Sequence, residues 1–329
     1  MGKSSFELRL KRWSAARGYA LAIADAGIVE TVRKKLEERK SSGMIDPAFF
    51  EENLTGFRYP EKALPTGSER VMVVAVPSPI SILPVTIGGR KIDLRIPPTY
   101  IRYNATFRDV LDDLSKHALG PGESAETFKA PLKSLAVHMG LAVYGRNNIT
   151  YVAGFGSGHQ LCGYFVRTGE RTVEGRPRAE GRESVLERCS SCQACIKACP
   201  TGAIRADRFL ISAERCFTVF SESHRPIPEG TKPPKRAICL IGCMECQLVC
   251  PENKGLLKTV PSGIEFTAEE TEAVIEAGRK LAKESPDAAP AAEAEGDPAL
   301  ASALAKFERL GMTEGLRLMG RNLDYYLSR

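Results

Sequence analysis

The sequence predicts an α+β protein in three parts: a mixed α/β domain over residues 1–180, a cysteine-built domain over 181–262, and a helical tail over 263–329. Three observations predict it. Strand-like and helix-like hydrophobic periods alternate through the first part of the chain. Nine of the ten cysteines lie between Cys189 and Cys250. Helix-period runs then close the chain around an Ala-, Pro- and Glu-rich stretch, 285–298, that reads as a flexible linker.

The N-terminal segment to about residue 55 reads as helical, with Leu8, Leu10, Trp13 and Ala16 along an amphipathic first helix. After Leu64-Pro65-Thr66-Gly67, the continuous apolar run Val71–Val76 is a buried strand. Residues 82–96 hold two β-rich runs around Gly88-Gly89, a hairpin signal. Thr106 to Ala118 places Phe107, Val110, Leu111 and Leu114 on one helical face, and Pro131 opens a further helix carrying Leu132, Leu135 and Ala136. Residues 149–152 and 161–166 are strands flanking the loop Gly154-Phe155-Gly156-Ser157-Gly158. A polar stretch from Thr168 to Glu183 follows. Beyond the cysteines, Thr267 with Glu270 makes a capping box, and a last amphipathic helix carries Leu300, Leu304 and Phe307.

At 329 residues, 43% hydrophobic and 26% charged, the composition is that of a soluble globular protein. A net charge of +6 permits an acidic partner or a nucleic acid without arguing for one. No run of ~18 apolar residues is present. Neither a signal-peptide core nor a twin-Arg pair opens the chain, so a cytoplasmic location without membrane contact is expected.

The cysteine spacing carries the chemistry. Cys189-x-x-Cys192-x-x-Cys195-x-x-x-Cys199-Pro200 is the bacterial ferredoxin run, in which three thiolates wrap one face of a 4Fe-4S cubane and the fourth turns to a second cluster. Cys243-x-x-Cys246-x-x-x-Cys250-Pro251 is a shorter second run. By pseudo-twofold exchange, Cys250 completes cluster 1 with Cys189, Cys192 and Cys195, while Cys199 joins Cys243 and Cys246 on cluster 2. The fourth ligand of cluster 2 is left open between Cys239 and Cys216, since the regular position holds Leu240. Paired C-x-x-C also suits zinc, but the unbroken triple spacing and both Cys-Pro endings favour iron–sulfur clusters.

The stretch from Cys189 to Pro251 closely resembles epoxyqueuosine reductase and the wider group that includes cobalamin-dependent reductive dehalogenases. Cys199-Pro200-Thr201-Gly202, Arg215-Cys216 and Gly242-Cys243-Met244-Glu245-Cys246 carry the resemblance. The resemblance implies that Cys216 is the missing ligand and Cys239 a structural thiol. Further upstream, Gly140-Leu141 and Tyr144-Gly145-Arg146-Asn147-Asn148 are similar to a Gly-rich stretch of the corrinoid-binding domain in both families. Ile101-Arg102-Tyr103 and Leu64-Pro65 also sit where that domain has comparable segments. The resemblance implies a nitroreductase-like domain holding base-off cobalamin, to which the clusters pass single electrons for reduction of a small-molecule or modified-nucleoside substrate. A reduced ferredoxin or flavodoxin-type protein would supply those electrons.

The chain departs from the pattern in one place. Epoxyqueuosine reductases carry an acidic residue shortly before the position of Pro131, whereas this chain reads Thr127-Phe128-Lys129-Ala130-Pro131. That departure, with the short tail, leaves tRNA as a substrate not favoured. It also keeps open a rival reading, an electron carrier that holds no corrinoid. Tyr103, Tyr144 and Tyr151 are candidate proton donors, with Tyr103 and Tyr144 taken first, against the plainer reading of each as a packed aromatic. Gly145, Arg146, Asn147, Gly156 and Gly158 are candidates for cofactor binding. His138, His159 and Cys162 read as structural.

Overall fold

The computed structural model describes residues 5–57, 69–168, 184–223, 225–229, 231–283, 296–312 and 315–327. The elements in chain order begin with α1 (Ser5–Ala16), β1 (Ala20–Asp25), α2 (Ile28–Ser41), α3 (Pro47–Asn53) and β2 (Glu69–Pro77). The hairpin β3 (Ile80–Ile87) and β4 (Arg90–Ile96) leads to α4 (Tyr103–His117), β5 (Ser124–Thr127) and α5 (Leu132–His138). Next come β6 (Val143–Tyr144), β7 (Thr150–Tyr151) and β8 (His159–Arg167). Short helices α6 (Ala194–Ala198), α7 (Phe217–Glu222) and α8 (Glu245–Leu248) carry the cysteine region. The chain closes with β9 (Thr259–Pro261), α9 (Ala268–Lys283), α10 (Pro298–Leu310) and α11 (Leu316–Leu327).

These elements form two compact units that interleave along the chain. The first comprises Met1–Ser78, Asn104–Gln193 and Asp207–Ser212; the second comprises Pro79–Tyr103, Ala194–Ala206 and Ala213–Arg329. The linear boundaries expected near residues 180 and 262 are therefore not where these units divide.

In the first unit a four-stranded antiparallel sheet runs β1-β2-β8-β5. The run in β2 is continuous rather than alternating because helices cover both faces of its sheet. Its period of two sends Val71, Val73 and Ala75 into one cluster with Val32 and Leu135. Met72 and Val74 go to the other, with Leu10, Trp13, Val110 and Leu114. Two sequence expectations are corrected here. The N-terminal segment is not wholly helical, because Ala20–Asp25 is an edge strand paired residue for residue with β2. Alanine is a weak strand former, and only the edge offered by β2 makes this segment extended. The buried face of α1 is Phe6, Leu10 and Trp13, while Leu8 is exposed. Trp13 Nε1 donates to Asp113 on α4 at 2.7 Å, and the Arg17 guanidinium pairs with the same carboxylate.

The second unit pairs the β3–β4 hairpin with β9, which runs parallel to β3, and packs α9, α10 and α11 around Leu83, Leu94, Phe266 and Phe307. Gly88 and Gly89, with φ of 52° and 71°, supply the left-handed pair that the tight turn requires. The capping box forms as expected. The Thr267 amide donates to Glu270 Oε2 at 2.8 Å, and the Glu270 amide returns a bond to Thr267 Oγ1 at 3.3 Å. Helices α9 and α11 meet backbone to backbone. A Cβ built on Gly278 would lie 2.7 Å from the Gly320 Cα, so neither position has room for a side chain.

Leu64 and Pro65, nearly all of the polar stretch 168–183 and most of the linker 285–298 lie outside the described residues. At the linker's end Pro298 is already the first residue of α10, with the Asp297 side chain accepting from the amides of Ala299 and Leu300. Among the described residues no helix is long and apolar enough to cross a membrane.

Candidate metal centre

Within the first unit, Cys189 sits on a 3-10 turn, Glu187–Ser190, that is fastened to the Gly145–Asn148 turn. Ahead of it, Tyr144 and residues 184–186 pair like strands: the Tyr144 amide donates to Ser184 O and the Leu186 amide to Tyr144 O, both at 2.8 Å. The Arg146 amide then donates to Cys189 Sγ at 3.4 Å, and its guanidinium holds the Cys189 carbonyl through Nε at 3.2 Å and Nη2 at 2.8 Å. Sequence reasoning placed Arg146 on a cofactor and missed this attachment. The partners lie 43 residues apart, and no local pattern links them.

The turn that presents Arg146 is rigid. Asn148 is left-handed at φ 58°, the buried Asn147 side chain donates to Tyr151 Oη at 3.0 Å, and a Cβ on Gly145 would collide with both Asn147 and Tyr151. Tyr144 is buried, its hydroxyl 3.0 Å from Ser134 Oγ and its ring edge-on to Phe209. The Gly154–Gly158 loop closes on itself, since the amides of Phe155, Gly156 and Gly158 donate to Val152 O, Val152 O and Phe155 O. His159 is buried, with Nε2 3.1 Å from Thr150 Oγ1, and burial lowers its pKa to about 4. His138 Nδ1 stands 2.8 Å from Ser134 O. Cys162 is buried, and burial pushes its thiol up to about 12.

Within the second unit, Cys195 lies on α6 and Cys199 just beyond its end. Cys216 is the N-cap of α7, Cys246 lies on α8, and Cys250 follows at the start of a further 3-10 turn. The Cys243 loop is set by its neighbours. Gly242 is left-handed at φ 74°, with its amide on Ser221 Oγ at 2.8 Å and the Tyr100 ring against its Cα side. The buried Glu245 accepts from the Arg236 guanidinium at 2.8 Å, which fixes the start of α8. Asn322 on α11 ties the two cysteine-bearing stretches together, donating to Ser221 O at 2.9 Å and Leu240 O at 3.2 Å.

The thiol electrostatics record which cysteines are neighbours. Burial raises the Cys216 pKa, and the adjacent Cys199 raises it further. Burial also raises Cys243, with Cys246, Cys239 and Cys216 adding to the effect. Cys216 is thus within electrostatic reach of Cys199 and Cys243, and Cys239 is within reach of Cys243 as well. Cys239 is buried among Ile80, Ala237 and Met244, in a stretch whose amides and carbonyls pair with Arg95 of β4, and burial pushes its thiol up to about 12. Such thiols stay protonated unless a metal takes the proton's place. A second observation fits a cluster here. Tyr326 Oη on α11 is buried and has no hydrogen-bond partner among the described residues, and the charges that act on it are those of Cys239 and Cys243, then Tyr325 and Glu245.

Tyr103, another candidate proton donor, is exposed at the first residue of α4. For a corrinoid the picture differs. Arg146 bonds to the Cys189 carbonyl, Asn147 to Tyr151, and the Phe155, Gly156 and Gly158 amides to Val152 O and Phe155 O, so these groups are engaged within the first unit.

With this geometry in hand, the comparisons define a class. Residues 188–253 match the 4Fe-4S double cluster binding domain family. The chain is therefore similar to proteins that carry paired iron–sulfur clusters. More particularly, it is similar to several epoxyqueuosine reductases. That of Salmonella typhimurium is 28% identical over 208 residues, covering 54% of this chain and 50% of the relative. That of Escherichia coli K12 is 38% identical over 133 residues, 40% of this chain and 31% of the relative. The alignments thus span half or less of these curated relatives. The fold likeness is wider: epoxyqueuosine reductase from Streptococcus thermophilus superposes with a TM-score of 0.62 at 17% identity, covering 99% of this chain and 81% of that one. A second solved structure, of epoxyqueuosine reductase with a tRNA-Tyr epoxyqueuosine-modified stem loop, has a TM-score of 0.55 at 18% identity and covers 98% of this chain and 80% of its own.

Proposed function

We propose that the chain is an iron–sulfur reductase in which Cys189, Cys192, Cys195 and Cys250 hold one 4Fe-4S cluster and Cys199, Cys216, Cys243 and Cys246 hold the other. The observation that carries this reading is the match of residues 188–253 to the 4Fe-4S double cluster binding domain family, supported by the electrostatic influence of Cys199 on Cys216 and of Cys216 on Cys243. Cys239 lies next to Cys243 but belongs to an apolar cluster, which suits a structural thiol. The two clusters take single electrons from a reduced ferredoxin or flavodoxin-type donor and pass them to a substrate-reducing centre in the cytoplasm.

Cobalamin is the acceptor that the Gly140–Asn148 resemblance implies, on a nitroreductase-like domain. When bound, it supplies a cobalt centre reducing enough for the chemistry. What this chain's own residues do is hold the Cys189 turn in register through Arg146 and keep the Gly145–Asn148 turn rigid. The substrate that the fold likeness favours is epoxyqueuosine on a tRNA stem loop, ahead of a free small molecule. tRNA, not favoured on the sequence alone, moves forward because the likeness to epoxyqueuosine reductases extends over nearly the whole chain. The rival reading, an electron carrier without corrinoid, is favoured by the stretch Thr127-Phe128-Lys129-Ala130-Pro131, which holds no carboxylate shortly before Pro131.

The test is anaerobic titration of the cluster-reconstituted protein with cob(II)alamin, followed by electron paramagnetic resonance. A base-off cobalt signal near one equivalent is expected. Absence of binding with about eight irons per chain would leave the electron carrier. Iron content and resonance spectra of Cys216→Ser and Cys239→Ser test the ligand set. The first variant should damage one cluster and the second should leave both, and the reverse result would overturn the assignment.

A further inference from the structure

The Tyr326 hydroxyl is a buried donor without an acceptor among the described residues, and such groups are rare because leaving one unpaired is costly. Its surroundings are specific. The ring packs against Phe217, the residue after Cys216, at 6.1 Å between centroids, and against Tyr325 at 5.5 Å. Among the neighbouring charges that act on it, Cys239 and Cys243 come first, ahead of Tyr325 and Glu245. The helix that presents it is held by Asn322 and by the Arg321 guanidinium, which donates to Phe220 O at 2.6 Å and Ser223 O at 2.7 Å. Tyr326 therefore cannot swing away without breaking several buried bonds.

We infer that Tyr326 donates a hydrogen bond to the cluster held by Cys199, Cys216, Cys243 and Cys246, on a sulfide or on a cysteine sulfur, and thereby raises its reduction potential. This rests on the two-cluster reading above. A bond to cluster sulfur stabilises the reduced, more negative state over the oxidised one, which moves the potential upward. Tyr326 is a positioning and potential-setting residue, since electrons do not pass through it. The chain thus has a graded pair, in which the cluster beside α11 accepts electrons more readily than its thiolates alone would dictate.

The experiment is a potentiometric titration of reconstituted wild-type and Tyr326→Phe protein, read by electron paramagnetic resonance. Phenylalanine keeps the ring packing and deletes only the donor. One midpoint should move to a more negative potential while the other stays, with iron content unchanged. The midpoint that moves must belong to the signal that Cys216→Ser abolishes. Two unmoved midpoints, or a shift confined to the signal that survives Cys216→Ser, would overturn the inference. Should the phenylalanine chain load poorly, Tyr326→Leu also lacks the hydroxyl and must show the same negative shift. A wild-type protein that carries fewer than two clusters would instead refute the two-cluster reading, before any variant is compared.

Discussion

Alanine at Gly320 places a methyl group where helices α9 and α11 touch through their backbones. The new Cβ would lie 2.7 Å from the Gly278 Cα and closer still to the Val274 carbonyl oxygen. Neither obstacle is a side chain that can rotate aside, so the helices must separate. Overpacking of this kind costs up to ~3 kcal/mol. Against it stands the gain from replacing glycine within a helix, ~1 kcal/mol. The net expectation is a loss of about 2 kcal/mol, or roughly 4–8 °C in the transition of a unit of this size. Thermal unfolding followed by circular dichroism measures it, with iron content as a check that the clusters remain. Gly278→Ala acts on the same contact, so the two losses should not add in the double variant. A Gly320→Ala protein as stable as wild type, or more so, would show that the crossing has slack and that the close-approach reasoning fails.

Two further predictions concern protonation. His159 has its pKa lowered to about 4 by burial, against an unfolded value near 6.5, so the unfolded chain takes the proton first. Stability should be full above about pH 6.5, fall by roughly 3 kcal/mol as pH drops to about 4, and level off below that; His159→Gln should flatten this slope in urea titrations. Glu270 is buried, which by itself would raise its pKa, but Lys306, Ser302 and the Thr267 amide outweigh that and hold it below the usual carboxylate value. The stability it contributes is present above an unfolded pKa of about 4.3 and is lost as pH falls through the lower folded value. Glu270→Ala should cost about 1–2 kcal/mol at neutral pH through the lost cap and ion pair, measured as a shifted denaturant midpoint.

The elements that the sequence made legible are those fixed by local chemistry. Gly88-Gly89 could only be a tight hairpin, Thr267 and Glu270 only a helix start, and the cysteine spacing only a ligand set for paired clusters. What stayed hidden depends on contacts far along the chain. Ala20–Asp25 is half alanine, with Ile23 its one β-branched residue, and becomes a strand where β2 offers an edge. The choice between Cys216 and Cys239 could not be made from spacing, because it concerns which thiols share a neighbourhood in space, and both act on Cys243. Arg146 looked like a ligand-binding residue, and its attachment to Cys189 has no counterpart in any local pattern. Tyr326 carried no signal at all, since a tyrosine near a chain end is indistinguishable from any other until its surroundings are known.

The interleaving of the two units has a consequence during synthesis. The β3–β4 hairpin leaves the ribosome early, yet its strand partner at Leu240 is made about 145 residues after Arg95. At ~5–20 residues per second this delay is on the order of 10–30 s. For that interval Leu83, Val85, Leu94 and Ile96 have no core to enter, because α9, α10 and α11 do not yet exist. The newborn chain therefore exposes a sticky hairpin for far longer than a hairpin takes to form. Its yield in a cell should depend on how well that stretch is shielded until the C-terminal helices arrive.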